Sequence, residues 1–321
     1  MHPWTDPDWL AGAHAWIHDR VEDAGAQVTG PIEQPHIEAW STVLRVPTSA
    51  GGRWFKANHP TAAHEAGVVG VLASTRPDLV PALLASDPAR GWMLMADGGE
   101  RLREVVERER RLDRWTDVLP LYGELQLATA EHADRLVALG TPERGLATLA
   151  SEYERLIGET DGLTSDELAR LTELVPEVGE MCLRLAEVGI PETVQHDDLH
   201  DGQVFVRDGG YLFFDWGDSC VSHPFFTMSV TLEGVLSWGL DDVEGSVDLT
   251  PFRDAYLASF SEYGSRDELE AAHATALRLG WICRAVNMRP LALALQSPAR
   301  EEWRGPRTAT RLRMFLDGSP G

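Results

Sequence analysis

Along residues 7–24, Leu10, Ala13, Ile17 and Val21 fall on one stripe at helical spacing, which predicts a helix. The pattern then shortens to strand-like runs: QVTGPIEQ (27–34), AWSTVLRVPT (39–48) and GRWFKAN (52–58), with Ser49-Ala50-Gly51-Gly52 as the turn between the last two. Pro60 and Thr61 look like a helix start, and TAAHEAGVVGVLAS continues it. Two short apolar runs follow, VPALLAS and GWMLMA, separated by the turn-forming Asp87-Pro88-Ala89-Arg90 and closing at Asp97-Gly98-Gly99.

From there to about residue 188 the periodicity is helical, as in PLYGELQLATAEHADRLVAL and SDELARLTELVPEVGEMCLRLAEVG, where Pro176 kinks or breaks the second run. Gly189-Ile190-Pro191 ends this block. A short irregular segment and one β-hairpin intervene before helices resume. The fold class expected is α+β: a small antiparallel-sheet lobe over residues 1–97 and a larger, mostly helical lobe over 98–321, with a shared site in the crease between them.

Composition narrows the partners. The 321 residues carry a formal charge of −23, which argues against nucleic acid and anionic membrane surfaces and would suit a cationic ligand. With 43% hydrophobic and 25% charged residues the chain reads as an ordinary soluble globular protein. Cys182, Cys220 and Cys283 are widely spaced, with no metal or disulfide pattern, so a reducing cytoplasm is expected. No apolar run approaches a membrane span, and MHPWTDPDWL lacks the regions of a signal peptide. Asp241, Asp242, Glu244 and Asp248 form an acidic stretch that reads as a solvated loop, or as a receiver for an amino sugar.

Basic residues number 28, of which 27 are arginine and one, Lys56, is lysine. An arginine-rich composition explains the missing lysines but not the one kept within a strand-like run. Lysine differs from arginine where a compact point charge on a slim stem is needed.

The densest chemistry lies in HDDLHDGQVFVRDGGYLFFDWGDS, residues 196–219. VFVR and YLFF are strand-like, and Asp208-Gly209-Gly210 between them signals a short hairpin. Taken as a three-residue loop, it pairs Arg207 with Tyr211 and, further down, Gln203 with Asp215. One amide oxygen and one carboxylate would then sit side by side at the open end. Hard cations such as Mg²⁺ take oxygen ligands of this kind together with substrate phosphates. Phosphoryl transfer also needs a cation to position the phosphates and a base to orient the attacking hydroxyl; Asp198, five residues before Gln203, suits the base.

D-x-x-x-x-Q followed by a hairpin and FFDWGDS closely resembles the catalytic and metal-binding loops of the aminoglycoside phosphotransferase-like kinases, small-molecule kinases of two-lobed protein-kinase-like fold. Their loop typically reads H-G-D-L-H-x-G-N; here it is H-D-D-L-H-D-G-Q. The resemblance extends to WFKA as the third strand, GWMLMADGG as the hinge and YGELQ in the first helix of the second lobe, and so spans most of the chain. It implies transfer of the ATP γ-phosphate, GTP not excluded, to a hydroxyl of a small molecule such as an aminoglycoside, amino sugar or amino alcohol. Lys56 would hold the α- and β-phosphates, with Glu65 pairing to it. Asp198 would be the base, and Gln203 and Asp215 would bind Mg²⁺. Met93, Met95 and Ala96 would offer backbone groups to the nucleotide base, and His196 would brace the loop.

Several positions depart from the family pattern. Gln203 replaces asparagine, and Asp197 replaces glycine and adds charge beside Asp198. CVSHPFFTMSV lacks the aspartate that commonly anchors the catalytic loop, and QPHIEAWSTVL carries no glycine-rich signature. Two other readings are a metal-dependent phosphohydrolase built on His196, Asp197, His200 and Asp201, and an inactive kinase-fold module that binds nucleotide.

Overall fold

The computed structural model describes residues 3–233, 247–296 and 299–317. The chain opens with α1 (Pro7–Asp23), started by Asp6, whose carboxylate accepts the Asp8 and Trp9 amides. Then come β1 (Glu33–Ile37), β2 (Ser41–Thr48), β3 (Gly51–Asn58), α2 (Glu65–Thr75), β4 (Leu83–Asp87) and β5 (Trp92–Ala96). The five strands form one antiparallel sheet in the order β1-β2-β3-β5-β4.

Three sequence expectations shift in detail. The first strand was expected over 27–34 but begins at Glu33, and before it only Val28 reaches the sheet, as an isolated bridge to Thr48. Gly30 and Pro31 interrupt the run, and Pro31 has no N–H to give a ladder. Thr48 pairs with Gly51, so the β2–β3 turn is Ser49-Ala50 alone. The helix expected from Pro60 starts as a separate 3-10 turn, Pro60–Ala62, before α2 proper begins at Glu65.

Strand alternation sorts the sheet into two faces. Phe55 and Ala57 of β3 join Leu44, Val46, Trp92 and Leu94 in a core that α1 covers with Ala13, Ile17 and Val21. Trp9 and Trp16 pack edge-on in the same cluster, with ring centroids 5.7 Å apart for Trp16–Phe55 and 5.4 Å for Phe55–Trp92. The intervening residues, Trp54, Lys56 and Asn58, face the opposite way, where α2 lies. The back of the sheet is thus an aromatic core that holds Lys56 in place from behind.

The rest of the chain is mostly helical. It runs through β6 (Glu100–Arg101), α3 (Leu102–Glu109), α4 (Trp115–Thr129), α5 (Ala133–Ala138), α6 (Leu146–Glu159), α7 (Ser165–Glu173) and α8 (Val175–Glu187), with Pro176 marking the break between the last two. β7 (Thr193–Gln195), β8 (Val204–Arg207), β9 (Gly210–Phe213) and β10 (Cys220–Ser222) follow, then α9 (Thr250–Ala258), α10 (Arg266–Ala294), α11 (Ala299–Glu302) and α12 (Thr308–Asp317). β8 and β9 form a hairpin with β6 on its edge, and β7 pairs with β10. One large core gathers Tyr122, Phe213, Trp216, Phe225, Tyr256 and Phe260. Cys182, Cys220 and Cys283 are free and buried.

Across the cleft, Ala39 and Trp40 at the β1–β2 turn pack against Met288, Leu291 and Leu295 at the end of α10. Among the described residues no helix is long and apolar enough to cross a membrane. Asp241, Asp242 and Glu244 lie outside the described residues; Asp248 is exposed and accepts the Thr250 amide at 2.9 Å.

Phe55 is fully buried next to Lys56, so Phe55→Ala leaves a cavity behind the strand. The variant is expected to lose about 3–5 kcal/mol of stability in urea unfolding. A loss under about 1 kcal/mol would mean that α1 does not brace this strand.

Candidate active site

Lys56 reaches from β3 into the cleft and is 6% exposed. Its ammonium donates to Glu65 Oε1 at 2.9 Å and to Asp215 Oδ1 at 2.5 Å. Glu65, the first residue of α2, is fixed from three sides. Besides Lys56 it accepts Asn58 Nδ2 at 2.6 Å and the Trp216 amide at 3.0 Å. A buried ammonium between two carboxylates is the arrangement that makes burying such a charge tolerable. Desolvation works against the Lys56 charge, yet Asp215 and Glu65 outweigh it and hold the ammonium above its ordinary range.

Asp215 does not sit where a three-residue hairpin loop would put it. Arg207 pairs with Gly210 and Val206 with Tyr211, so the loop is the two residues Asp208-Gly209. Both have positive φ, 52° and 82°, as such a tight turn requires. This register is one residue away from the one expected, and the partner of Gln203 becomes Phe214, whose amide donates to the Gln203 carbonyl at 2.8 Å. A one-residue slip turns side chains to the other face. Asp215 returns nonetheless, because it leaves the ladder in the left-handed region, φ 61° and ψ 61°. Its Oδ2 accepts Gln203 Nε2 at 3.1 Å. Trp216 next to it is buried in the large core, with its ring 4.7 Å from that of His196, and so locks the loop. Burial alone would raise the Asp215 carboxyl, but the charge and hydrogen bond of Lys56 prevail and bring it down to about 2.

The loop carrying Asp198 is held by residues that the sequence reading did not name. Arg284, on α10 and 6% exposed, binds Asp198 Oδ1 at 2.5 Å and also donates to the Asp197 carbonyl. Asn287, one turn further on, donates to Asp197 Oδ2 at 2.9 Å and to the Asp218 carbonyl at 2.7 Å. Asp197 is buried with φ 64°, a left-handed position where glycine is at ease and aspartate is tolerated. The second carboxylate is therefore directed away from the cleft, toward α10. Both carboxylates face the Arg284 guanidinium, Asp197 at 3.7 Å and Asp198 at 2.5 Å. The missing anchor in CVSHPFFTMSV is supplied from α10, and also by Tyr122, whose hydroxyl accepts the His196 amide at 3.0 Å. Tyr122 opens the YGELQ segment, which lies on α4 rather than on the first helix of this lobe. One signal for Arg284 was available: it interrupts the apolar run GWICRAV of a helix, and a buried arginine needs carboxylates.

The histidines do not converge on a metal. His196 is buried and kept neutral by desolvation; Nε2 donates to Phe214 O at 2.7 Å and Nδ1 accepts the Asp198 amide at 3.3 Å. Among the described residues no group of three or more His, Cys, Asp or Glu side chains is placed to hold a metal ion. The phosphohydrolase alternative has no assembled site there.

A cavity of about 640 Å³ opens between sheet and hairpin, lined by Trp54, Lys56, Met95, Gln203, Phe205, Phe214 and Asp215 among others. The Phe205 and Phe214 ring centroids lie 4.3 Å apart with the planes tilted by 37°, and Gly98 lies so close to both rings that a methyl group there would overlap Phe214. Met95 borders this space and Met93 is buried next to it with Ala66; β5 runs between β3 and β4, so their backbones are engaged in the two ladders. The Ala96 amide donates to Ala82 O at 2.9 Å. Past Ala96 the chain turns at Asp97-Gly98-Gly99, where the Asp97 carboxylate accepts the Gly99 amide at 2.8 Å.

Carboxylates outnumber cations at this point. Asp218 is pushed up to about 7 by burial first and, against Arg284, by Asp198, Asp197 and Asp215. Such crowding is what a divalent cation relieves. Asp215 beside the Gln203 amide offers the oxygen donors that a hard cation prefers, with the remaining positions left to water and phosphate.

Because the folded Asp215 carboxyl lies below its unfolded value, near 4, its stabilising contribution is full above that value and lost as pH falls through about 2. Metal-free wild type is expected to lose stability over this window in acid titrations followed by thermal melting. Asp215→Asn should show a flatter acid limb, and identical limbs would mean that the Lys56 contact does not form.

Solved structures of low sequence identity share this fold. An ethanolamine kinase from Plasmodium vivax superposes with TM-score 0.63 at 11% identity, covering 97% of this chain and 89% of its own. A macrolide 2′-phosphotransferase type I gives 0.56 at 14%, with 95% and 97% covered. An amicoumacin kinase in complex with AMP-PNP, Ca²⁺ and its ligand gives 0.56 at 15%, with 95% and 96% covered. None of the curated proteins matches the chain. The sequence itself, over residues 36–271, matches the model of the phosphotransferase enzyme family, and the chain belongs to that family.

Proposed function

We propose that the protein transfers the γ-phosphate of ATP to a hydroxyl of a small molecule, with Mg²⁺ bound by Asp215 and Gln203. The observation that carries this reading is the Lys56 ammonium held between Glu65 and Asp215 at the edge of the interlobe cavity. The nucleotide base would enter between Trp54 and Met95 on the sheet and Phe205 and Phe214 on the hairpin, meeting the amides of Asp97 and Gly98. Asp215 and Gln203 would hold the metal, which would supply neutralisation of phosphate charge.

Lys56 would clamp the α- and β-phosphates, kept straight by Glu65. Asp198 has one oxygen occupied by Arg284; the other, Oδ2, stands 3.8 Å from His200 Nε2 and is available to the acceptor hydroxyl. As the acceptor oxygen bonds to Pγ and the bridge to ADP breaks, the hydroxyl proton leaves by way of Asp198. Arg284 would hold that carboxylate in place and aim it. Relatives of this fold act on ethanolamine, macrolides and amicoumacin by their names, which supports small hydroxylated acceptors without choosing among them.

Phosphate transfer from Mg·ATP and Mg·GTP across amino alcohols, amino sugars, aminoglycosides and macrolides tests the reading. Lys56→Ala and Asp215→Ala are expected to cost roughly a hundredfold or more in rate. Asp198→Asn should abolish transfer while leaving nucleotide affinity intact. Nucleotide binding without any transfer would favour the inactive binding module. Near-normal turnover in Lys56→Ala would overturn the assignment.

Arg284→Lys keeps the charge but loses the fork that reaches Asp198 and the Asp197 carbonyl together. Its expected signature is a fall in kcat of about tenfold or more, with KM for nucleotide unchanged. A change confined to thermal stability would make Arg284 a purely structural residue.

A further inference from the structure

His200 sits in the loop between Asp198 and Gln203, and it lines the cavity that Lys56, Gln203 and Asp215 border. Its two ring nitrogens are engaged differently. Nδ1 accepts the Gly202 amide at 3.0 Å and Arg103 Nη2 at 3.3 Å. Neither an amide N–H nor a guanidinium can accept a hydrogen bond, so Nδ1 meets both with its lone pair. Asp201 does not compete for this nitrogen: its Oδ1 is 3.7 Å away and takes Arg103 Nε at 2.8 Å. The hydrogen-bond pattern thus assigns the ring's N–H to Nε2.

The ring is firmly seated. A side chain at Gly202 would bring a Cβ to 2.7 Å from His200 Cε1 and 3.0 Å from Nδ1, so glycine is what lets the imidazole lie against this turn. The Gln203 amide closes the turn on the His200 carbonyl at 2.9 Å. The Arg103 amide donates to the Asp201 carbonyl at 3.1 Å and ties the loop to the first turn of α3. What this leaves open is Nε2. Asp198 Oδ2 stands 3.8 Å from it, beyond hydrogen-bond reach, and no other described residue accepts its proton. Bracing the turn needs only an acceptor at Nδ1, which a shorter side chain could provide. The imidazole adds a second, donating nitrogen at the cavity wall, beside the base.

We propose that His200 is a catalytic residue, whose Nε2–H donates a hydrogen bond to an oxygen of the γ-phosphoryl group as that group passes from ATP to the acceptor. The inference rests on the phosphotransfer reading above and adds a residue to it. In that reading Lys56 holds the α- and β-phosphates, which leaves the γ-phosphoryl group without a protein donor on the side of the base. The acceptor oxygen, Pγ and the leaving oxygen lie roughly in line during transfer, with charge spread over the oxygens between the two ends. A donor next to Asp198 Oδ2 and on the cavity wall faces those oxygens, and its hydrogen bond is worth most where that charge develops. The bond from the acceptor oxygen to Pγ forms, the bond from Pγ to the ADP oxygen breaks, and the hydroxyl proton leaves by way of Asp198. His200 donates without giving up its own proton.

Two substitutions separate this role from a structural one. His200→Asn puts an amide oxygen where Nδ1 accepts but reaches no further, whereas His200→Gln carries an amide N–H to the position of Nε2. Calorimetric titration with Mg·ADP and Mg·AMP-PNP reads the γ-position without an acceptor. His200→Asn is expected to weaken Mg·AMP-PNP binding by about tenfold or more with Mg·ADP unchanged, and His200→Gln to stay within about threefold of wild type for both. Transfer from Mg·ATP to water, read as ADP formed in a single turnover, should follow the same ranking. A measurement on the unsubstituted protein stands beside these: in ¹⁵N-histidine spectra the His200 proton should reside on Nε2, and its resonance should move on adding Mg·AMP-PNP but not Mg·ADP. The reverse ranking of the two variants, a proton on Nδ1, or equal effects on the two nucleotides would each overturn the proposal. Wild type that binds both nucleotides, with His200→Asn unchanged, would overturn it while leaving the phosphotransfer reading in place. Wild type that binds neither would overturn that reading and this proposal with it.

Discussion

A single buried ammonium organises the cleft. Lys56 comes from β3, Glu65 from the start of α2 nine residues on, and Asp215 from the loop after β9, 159 residues beyond the lysine, so both lobes meet at one charge. Such a charge cannot stay buried unless its partners remain in place, and each partner is itself fixed. Glu65 is held by Asn58 and the Trp216 amide, and Trp216 is sunk in the large core. The aromatic cluster behind β3 supports the lysine from the other side. The two lobes are therefore tied at the point where phosphate chemistry would take place.

A second charge system, built around Arg284, governs the catalytic loop. Asp197 takes a left-handed conformation and directs its carboxylate to α10, and Arg284 and Asn287 bind the loop through both side chain and backbone. The long helix thereby takes over an anchoring task that the segment after the metal loop lacks the residue to perform. α10 thus holds the loop of Asp198 through two residues one turn apart.

The hairpin shows how a correct contact can follow from an incorrect register. Asp208-Gly209-Gly210 fits two loop lengths, because both Asp and Gly tolerate positive φ. Reading it as a three-residue loop paired Gln203 with Asp215 in the ladder. The two-residue loop moves the partner of Gln203 to Phe214, and the side chains of Gln203 and Asp215 meet only because Asp215 turns out of the strand. The hinge illustrates the complementary case: the family resemblance set Met93, Met95 and Ala96 beside the nucleotide base. β5 lies between β3 and β4, so its backbone is shared by two ladders, and the apolar run did not record that.

What the sequence determined by itself was local and compositional. Period-two alternation in GRWFKAN set Lys56 on the face opposite Phe55, whatever that face would meet. The rarity of lysine among 27 arginines marked the residue, and the spacing from Asp198 to Gln203 to FFDWGDS marked the loops. The tertiary structure alone decided which charges neutralise one another. Arg284 lies 86 residues beyond Asp198, and its pairing depends on how α10 packs against the loop. Coulombic contacts depend on distance in space and on exclusion of water, and both quantities exist only once the chain has packed.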